Sequence, residues 1–412
     1  MDLSEKLKFY GPALKTVRQE PTQPEPSDLS RWISGEERSN EAGSYYFTSA
    51  NHPLEKPHGQ ADLRPGLREC APLYHIAGND AALAEMSLKQ TLFFDTETTG
   101  LAGGAGTVPF LIGLGFFTDK HFVVEQYFMR DYSDERAVLS AVADRFSQFD
   151  TIASYNGKCY DMNILSSRFV LSRMNSNALQ KPHLDLLFAA RRFWRRRLSD
   201  CSLGSVERQI IGFHRRDDVP GFLIPSLYFE YLRTKDARPL SPVFTHNQWD
   251  IISLAALAIR FQTILEDPKL HIQHPSDWMS LGRIYENHEM LEQAAAAYRT
   301  SLTFLESPEE QEESLTCLGL AWKRSGRFEK AAEVWKHMIK HLPYRQMPYE
   351  ELAKYYEHRA GRLEEAAAIV ENALERIETL QTLRPHLSFA EDRKDLEYRL
   401  RRIKRKIHSL SP

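Results

Sequence analysis

Two acidic residues, Asp95 and Glu97, stand two positions apart directly after an apolar run at 92–94. In an extended strand the side chains of residues i and i+2 point to the same face, so both carboxylates can project together from the end of this strand. Carboxylate oxygens are suitable ligands for Mg²⁺ and Mn²⁺. The pair therefore indicates half of a divalent-metal site, although a solvated strand end explains the same two residues.

Two further segments supply acids that could complete such a site. Asp161 stands at the predicted start of a helix, and Asp250 follows His246 at the start of a longer predicted helix. A spacing of four places His246 and Asp250 on one helical face, where an imidazole can orient or deprotonate water. For both segments the alternative is a residue that merely caps or stabilises a helix start.

The four carboxylates Asp95, Glu97, Asp161 and Asp250 would repel one another if the fold gathered them without cations. Two Mg²⁺ or Mn²⁺ ions, about 3.5–4 Å apart, would neutralise the carboxylates and stabilise the attacking and leaving oxygens of a phosphodiester. The chemistry that these residues predict is hydrolysis by an activated water.

A turn before Asp161 contains two candidate substrate-binding residues, Asn156 and Lys158. The dipeptide Asn156-Gly157 is typical of a tight turn and allows close approach of a backbone or a ligand. We therefore expect this turn to border the site.

A basic stretch at 191–197 contains five arginines around two aromatic residues, and it ends in the candidate substrate-binding residues Arg195, Arg196 and Arg197. Such a stretch could contact phosphates and stack on unpaired bases. Equally, Leu187, Trp194 and Leu198 could pack inward while the arginines cover a solvated face. A second basic run, at 401–406, favours a solvated helix face.

The composition is ordinary for a globular protein of two or three domains, with 412 residues, 42% hydrophobic and 26% charged. A net charge of −3 argues against a chain that coats nucleic acid by bulk positive charge, so such binding requires local patches. The four cysteines are scattered without a Cys-x-x-Cys pair, which favours a reducing cytoplasm. No apolar run predicts a signal peptide or a membrane span.

The elements that must position the acids follow from the apolar pattern. Three strands within 92–129 predict an antiparallel meander, and a strand at 151–155, a helix from about 161, a strand at 183–187 and a helix at 247–265 follow it. This order predicts a mixed α/β sheet flanked by helices.

Three domains are predicted: a Pro/Ser-rich, partly ordered leader at 1–60, the α/β domain at 61–267, and an all-α region at 268–412. In the last region, small and aromatic residues recur with a period near 34 to 37 residues, from Leu281-Gly282 to Leu318-Gly319 and Leu352-Ala353. This period is typical of tetratricopeptide-like repeats, which predict a protein partner, and a helix at 391–407 would cap them.

The segments 95–100, 155–161 and 246–250 resemble the three exonuclease motifs of the DEDD superfamily, whose fold is ribonuclease H-like. The longer runs at 95–115, 183–187, 201–203 and 218–221 resemble predicted bacterial exonucleases of the YprB type, over roughly 60–265. The spacing of His246 and Asp250 departs from the pattern: the histidine branch has its His five residues before the last Asp, and the tyrosine branch has a Tyr four before it.

The resemblance implies a cytoplasmic 3′–5′ exonuclease that acts on single-stranded or frayed RNA or DNA with two Mg²⁺ or Mn²⁺ ions. By motif position Asp95, Glu97, Asp161 and Asp250 would hold the ions, and His246 would be the general base. Two alternatives stay open: a structure-selective endonuclease with the same metal site, and a non-catalytic scaffold whose repeats bind protein.

Overall fold

The computed structural model describes residues 29–68, 73–100, 106–343, 345–383, 386 and 388–410, so the first 28 residues of the predicted leader lie outside it. The chain forms two compact units. One unit combines residues up to 187 with 202–262, and the other combines 188–201 with the chain from 263 onward. The basic stretch at 191–197 therefore belongs to the second unit.

The first unit is built around a seven-stranded sheet in the order β1-β2-β5-β4-β3-β6-β7. Its strands are Glu36–Asn40 (β1), Gly43–Pro53 (β2), Thr91–Thr98 (β3), Pro109–Phe117 (β4), His121–Phe128 (β5), Thr151–Ser154 (β6) and His183–Asp185 (β7). Neighbours from β1 to β3 are antiparallel, whereas β3, β6 and β7 are parallel. The predicted mixed α/β fold is confirmed.

The helices of the first unit pack on this sheet and cover its apolar residues. They are Tyr74–Gly78 (α1), Glu135–Ser147 (α2), Asp161–Leu171 (α3), the beginning of Leu186–Trp194 (α4), Leu203–Val206 (α5), Ile224–Thr234 (α6) and most of Ser241–Glu266 (α7). A π-helical turn at Glu207–Ile211 directly continues α5. The core joins Phe94 of β3 to Val142 of α2, Phe169 of α3 and Tyr228 of α6.

Two sequence predictions need correction here. Residues 36–53 of the predicted leader form β1 and β2, because the buried apolar residues at 45–47 complete the sheet beside β5. Helix α7 begins at Ser241 rather than near 247, because Pro242 suits a first helical turn. His246 and Asp250 are therefore interior helical residues and do not cap a helix.

The second unit is all-helical in its described part, as predicted. After a short helix at Pro268–His271 (α8), its helices are Pro275–Asn287 (α9), Leu291–Ser301 (α10), Pro308–Arg324 (α11), Phe328–His341 (α12), Gln346–Tyr355 (α13), Leu363–Leu383 (α14) and Ala390–Leu410 (α15). A π-helical turn at Tyr356–Ala360 follows α13. The assignment to the tetratricopeptide kind stays a prediction.

A packing feature of the second unit explains the repeated glycines. A Cβ atom on Gly282 would lie 2.4 Å from the ring of Tyr298, and one on Gly319 would lie 2.1 Å from the ring of Trp335. Each glycine thus makes room for the large aromatic side chain of the next helix. No helix in the described part of the chain is long and apolar enough to cross a bilayer.

Candidate metal centre

Strand β3 carries Asp95 and Glu97 into the interior of the first unit. Residues 92–94 before them are fully buried, and the strand pairs with β4 through the register Asp95↔Gly113 and Glu97↔Leu111. Its parallel neighbour β6 pairs only with 91–93, so both acids lie beyond the last pair formed with β6. The carboxyl ends of parallel strands are a usual place for ligand sites.

Helix α7 approaches Asp95 closely because residue 113 is a glycine. A Cβ atom there would lie 2.2 Å from Oδ1 of Asn247. With that space open, Nδ2 of Asn247 donates to Oδ2 of Asp95 at 3.0 Å, and Oδ1 of Asn247 accepts from Gln126 at 2.9 Å. The amide thus fixes the orientation of one carboxylate, and the same helix brings in His246 and Asp250.

Asp161 reaches the same cluster from the first residue of α3. It is buried, and its carboxylate accepts a hydrogen bond from the hydroxyl of Thr96, which lies between the two acids of β3. Burial raises the pKa of Asp161 to about 6, although the Thr96 hydrogen bond acts in the opposite direction.

The ionisation of Asp95 and Glu97 depends on burial and on the neighbouring carboxylates. Burial raises the pKa of both Asp95 and Glu97 well above the ordinary value, and the charges of Asp250 and Asp161 raise it further. A group of buried carboxylates that cannot all ionise freely is stabilised by cations, which remove the repulsion and the desolvation cost together.

His246 extends this acidic cluster with a nitrogen donor. Its Nε2 lies 3.4 Å from Oδ2 of Asp250 and 3.9 Å from Oε1 of Glu97, and the ligand atoms of these three residues all lie within 4.8 Å of one another. Its Nδ1 lies 2.8 Å from Oδ1 of Asp218. Since a carboxylate oxygen accepts hydrogen bonds, Nδ1 is assigned as the donor, and in that tautomer Nε2 presents its lone pair to the cluster.

Arg215 is a site residue that the sequence did not identify. Its guanidinium donates to Oδ1 of Asp250, and it forms a two-point contact with Glu207 at 2.6 and 2.8 Å. It also lies 3.3 Å from Asp218. Burial opposes its charge, but the carboxylates of Asp250 and Glu207 raise the pKa of Arg215 above its usual value. The only sequence signal is the charged run at 214–218 before Pro220.

Buried polar contacts fix the position of Glu207, which pairs with Arg215. Ser253 of α7 donates to Glu207 at 2.5 Å, and the Ser253 hydroxyl lies 2.7 Å from Nε2 of His58. Burial lowers the pKa of His58 to about 3, so the imidazole is neutral near neutral pH. His58 also belongs to the segment that was predicted to be a leader, which ties that segment to the site.

The cluster opens into a cavity of about 550 Å³, bordered by Asp95, His246 and Asp250 together with Arg215 and Asp218. Polar side chains of both signs therefore face a space that can admit a ligand. A negatively charged ligand would meet Arg215 there, and a cation would meet the carboxylates.

The structure gives Asn156 and Lys158 a different position from the predicted one. Their backbone N–H groups donate to Asp185 at 2.9 and 3.1 Å, and Asn156 adopts a φ of 66°, so Asp185 holds this turn. The ammonium of Lys158 lies 3.4 Å from Asp80, and neither residue borders the cavity. Asp185 and Asp80 therefore hold this turn, and the role of the two residues in substrate binding stays a prediction.

The candidate arginines also have structural partners, all within the second unit. Arg196 forms a two-point contact with Glu313 at 3.1 and 2.6 Å, and Arg197 lies 3.3 Å from Asp277. The aromatic residues of the stretch, Phe193 and Trp194, are buried. Arg195 and Arg196 are exposed and Arg197 is half-buried, and their role in substrate binding stays a prediction. None of the three borders the metal centre's cavity.

Comparisons with known proteins agree with this architecture. Residues 92–262 match the family model described as the RNase_H superfamily. The chain is 29% identical over 364 residues to the uncharacterized protein YprB of Bacillus subtilis. The aligned region covers 87% of this chain and 85% of that protein. The predicted ribonuclease H-like fold and the resemblance to YprB are confirmed.

A weaker structural likeness is to the family B DNA polymerase of Pyrobaculum calidifontis. The TM-score is 0.33 at 15% sequence identity, and the match covers 48% of this chain. The chain spans 29% of the length of that polymerase chain.

Proposed function

We propose that this protein is a metal-dependent nuclease that removes nucleotides from the 3′ end of single-stranded or frayed nucleic acid. The observation that carries the proposal is the cluster of Asp95, Glu97, Asp161 and Asp250 beside His246. Three of these residues, Asp95, His246 and Asp250, border the cavity. The ribonuclease H-like domain supports a nuclease-type fold. The direction of attack rests on the resemblance of the motifs to DEDD exonucleases.

The donor set fits divalent cations. The pKa of Asp95 and of Glu97 is raised by burial and by the neighbouring carboxylates. These carboxylates, next to an imidazole whose Nε2 faces them, provide the oxygen and nitrogen ligands that Mg²⁺ or Mn²⁺ would use. Two such ions would supply Lewis-acid stabilisation of the phosphodiester and lower the pKa of the attacking water. A nitrogen ligand favours Mn²⁺ over Mg²⁺, since Mg²⁺ prefers oxygen.

The remaining residues of the centre orient these ligands. Arg215 holds Oδ1 of Asp250, so Oδ2 is the oxygen directed toward His246. Asn247 holds Asp95, and Thr96 holds Asp161. A centre whose ligands are fixed before substrate arrives loses little free energy to rearrangement during the reaction.

We assign to His246 the role of a nitrogen ligand rather than that of the general base. Asp218 fixes the tautomer in which Nε2 keeps its lone pair, and Nε2 lies near Oδ2 of Asp250 and Oε1 of Glu97. A carboxylate that accepts from the other ring nitrogen is the usual partner of a metal-binding histidine.

The full-length protein, incubated with Mg²⁺ or Mn²⁺ and end-labelled single- and double-stranded RNA and DNA, tests the proposed function. Stepwise release of mononucleotides from the 3′ end is expected, and Asp95→Ala should abolish it. Internal cuts would indicate the endonuclease instead. Absence of any metal-dependent product would favour the scaffold, in which the helical region binds a protein partner.

A further inference from the structure

The second unit contains a groove with a strong local positive charge. This cavity of about 340 Å³ is bordered by Lys323 of α11, Lys354 of α13, Arg359 of the following π-helical turn, and Arg399 and Arg402 of α15. We call it the basic groove. The chain as a whole carries a net charge of −3, so this concentration of cations is local.

The carboxylates near the basic groove do not balance its cations. Glu351 accepts from Lys323 at 2.5 Å and from Lys354 at 2.9 Å. Glu357 accepts from Arg402 at 2.6 Å and also from Arg399.

A third cation, Lys406, shares Glu357 at 2.8 Å, and Arg359 lies over the ring of Phe328, with 4.3 Å between the guanidinium carbon and the ring centroid. Lys354 also lies 3.6 Å from Glu350, so five cations share three carboxylates, and Arg359 adds a sixth positive charge. The network therefore has an excess of three positive charges. An excess of this size attracts a polyanion over a distance limited by salt screening.

Aromatic rings lie beside these cations. Phe328 and Tyr355 border the groove and are half-buried, whereas Trp335 is buried at its base. Cations that follow a phosphate backbone, combined with partly exposed ring faces on which bases stack, are the features that bind single-stranded nucleic acid. An acidic peptide would use the cations but has no bases to stack on the rings.

We propose that the basic groove binds a single-stranded segment of nucleic acid, with phosphates at Lys323, Lys354 and Arg359 and a base against Phe328 or Tyr355. The groove would be a second nucleic-acid surface of the protein, separate from the metal centre. It does not depend on hydrolysis, so it can be tested whether or not the proposed function holds.

The test measures the binding of a fluorescein-labelled single-stranded oligonucleotide to the full-length protein by fluorescence anisotropy in EDTA. EDTA removes divalent ions, so the probe stays intact and the carboxylates of the metal centre repel it. The double variant Lys354→Glu/Arg359→Glu should weaken binding about tenfold or more. It should also reduce the slope of the logarithm of affinity against the logarithm of salt concentration by about 1.4, because two phosphate contacts are lost.

The matched control is Lys340→Glu/Lys394→Glu, which changes the net charge equally at two exposed positions. It should bind within about twofold of the wild type. Equal weakening by both variants, or wild-type binding by the groove variant, would overturn the proposal. A labelled polyglutamate peptide that binds the groove while the oligonucleotide does not would also overturn it.

Circular dichroism checks that each variant is folded. If the charge reversals unfold the second unit, Lys354→Gln/Arg359→Gln replaces them, because Lys323 still pairs with Glu351 in that variant. A folded neutral variant with wild-type affinity contradicts the proposal.

Discussion

Nδ1 of His246 lies 2.8 Å from Oδ1 of Asp218, and this contact determines which nitrogen of the imidazole faces the acidic cluster. With the proton on Nδ1, the lone pair of Nε2 points toward Asp250 and Glu97. The same helix presents Asn247 to Asp95. One turn of α7 thus supplies the candidate ligand His246 and also Asn247, which orients the candidate ligand Asp95.

His246→Gln should lower metal affinity as well as turnover. Loss of one nitrogen ligand removes part of the stabilisation that a bound ion gives to the folded state, so the rise in Tm on adding Mn²⁺ should shrink by about half. Thermal melts with and without Mn²⁺ measure this directly. A normal Mn²⁺ shift combined with lost hydrolysis would instead make His246 the general base.

Asp218→Asn should weaken metal binding about tenfold to a hundredfold and lower kcat more than it changes KM. The amide can donate to Nδ1 and so favours the tautomer with its lone pair turned away from the cluster. Isothermal titration with Mn²⁺ and steady-state kinetics check both effects. Asp218→Glu, which keeps the carboxylate, should recover part of the Mn²⁺ affinity. Equal Mn²⁺ affinities of the two variants would contradict the role of the Asp218 carboxylate in orienting His246.

Arg215→Gln should destabilise the metal-free protein by about 3–5 kcal/mol, because Glu207 and Asp250 would lose the cation that balances them inside the first unit. Added Mn²⁺ should restore part of the loss, since the ion neutralises Asp250. Chemical denaturation in EDTA and in Mn²⁺ measures both quantities. Arg216→Gln removes the charge of the exposed neighbouring arginine and should change stability little. If Arg216→Gln lowered the free energy of unfolding as much as Arg215→Gln does, the contact with Asp250 would not be the cause.

Asp95→Asn should abolish hydrolysis yet stabilise the metal-free protein by about 1 kcal/mol. The raised pKa of Asp95 reflects burial and the charges of Asp250 and Asp161, so a neutral amide relieves both costs. Removing a metal ligand should lower kcat/KM about a thousandfold or more. Asp119→Asn, in an exposed turn, is the control for both measurements. A destabilised metal-free D95N protein would contradict the repulsion argument.

Acidification should destabilise the first unit through His183. Burial and the charge of Lys158 lower the pKa of His183 to about 3, whereas its unfolded value is 6.5. Between these values only the unfolded state binds the proton, so stability is lost as pH falls below 6.5, by about 1.4 kcal/mol per pH unit.

Chemical denaturation at pH 6.5, 5.5 and 4.5 tests this dependence. His183→Gln should reduce the slope of unfolding free energy against pH by about that amount, since glutamine takes up no proton in this range. His358→Gln, at an exposed histidine of the second unit, should leave the slope of the first unit unchanged. Identical slopes for the wild type and His183→Gln would exclude His183 as the source.

Much of the fold follows from local pattern. The apolar runs around 92–94, 110–117 and 122–129 predict strands because short continuous apolar segments bounded by turn residues are typical of strands buried on both faces. The structure has β3, β4 and β5 there. Glu36–Asn40 gave no such signal, since it is a largely exposed edge strand whose position depends on β2. The sequence predicts a start of α7 near 247 because Ser241–His246 lacks a continuous apolar stripe.

By itself the sequence determined the acidic side chains and the kind of element that carries each one: Asp95 and Glu97 on a strand, Asp161 at a helix start and Asp250 on a helix. These are local properties, set by residues within one or two turns of each other. Only the tertiary structure decided which partners orient them. Arg215 and Asp250 are 35 positions apart, and His58 and Ser253 are 195 apart. Such pairs meet because β3, α7 and the segment around Arg215 pack together, and residue spacing does not reveal that packing.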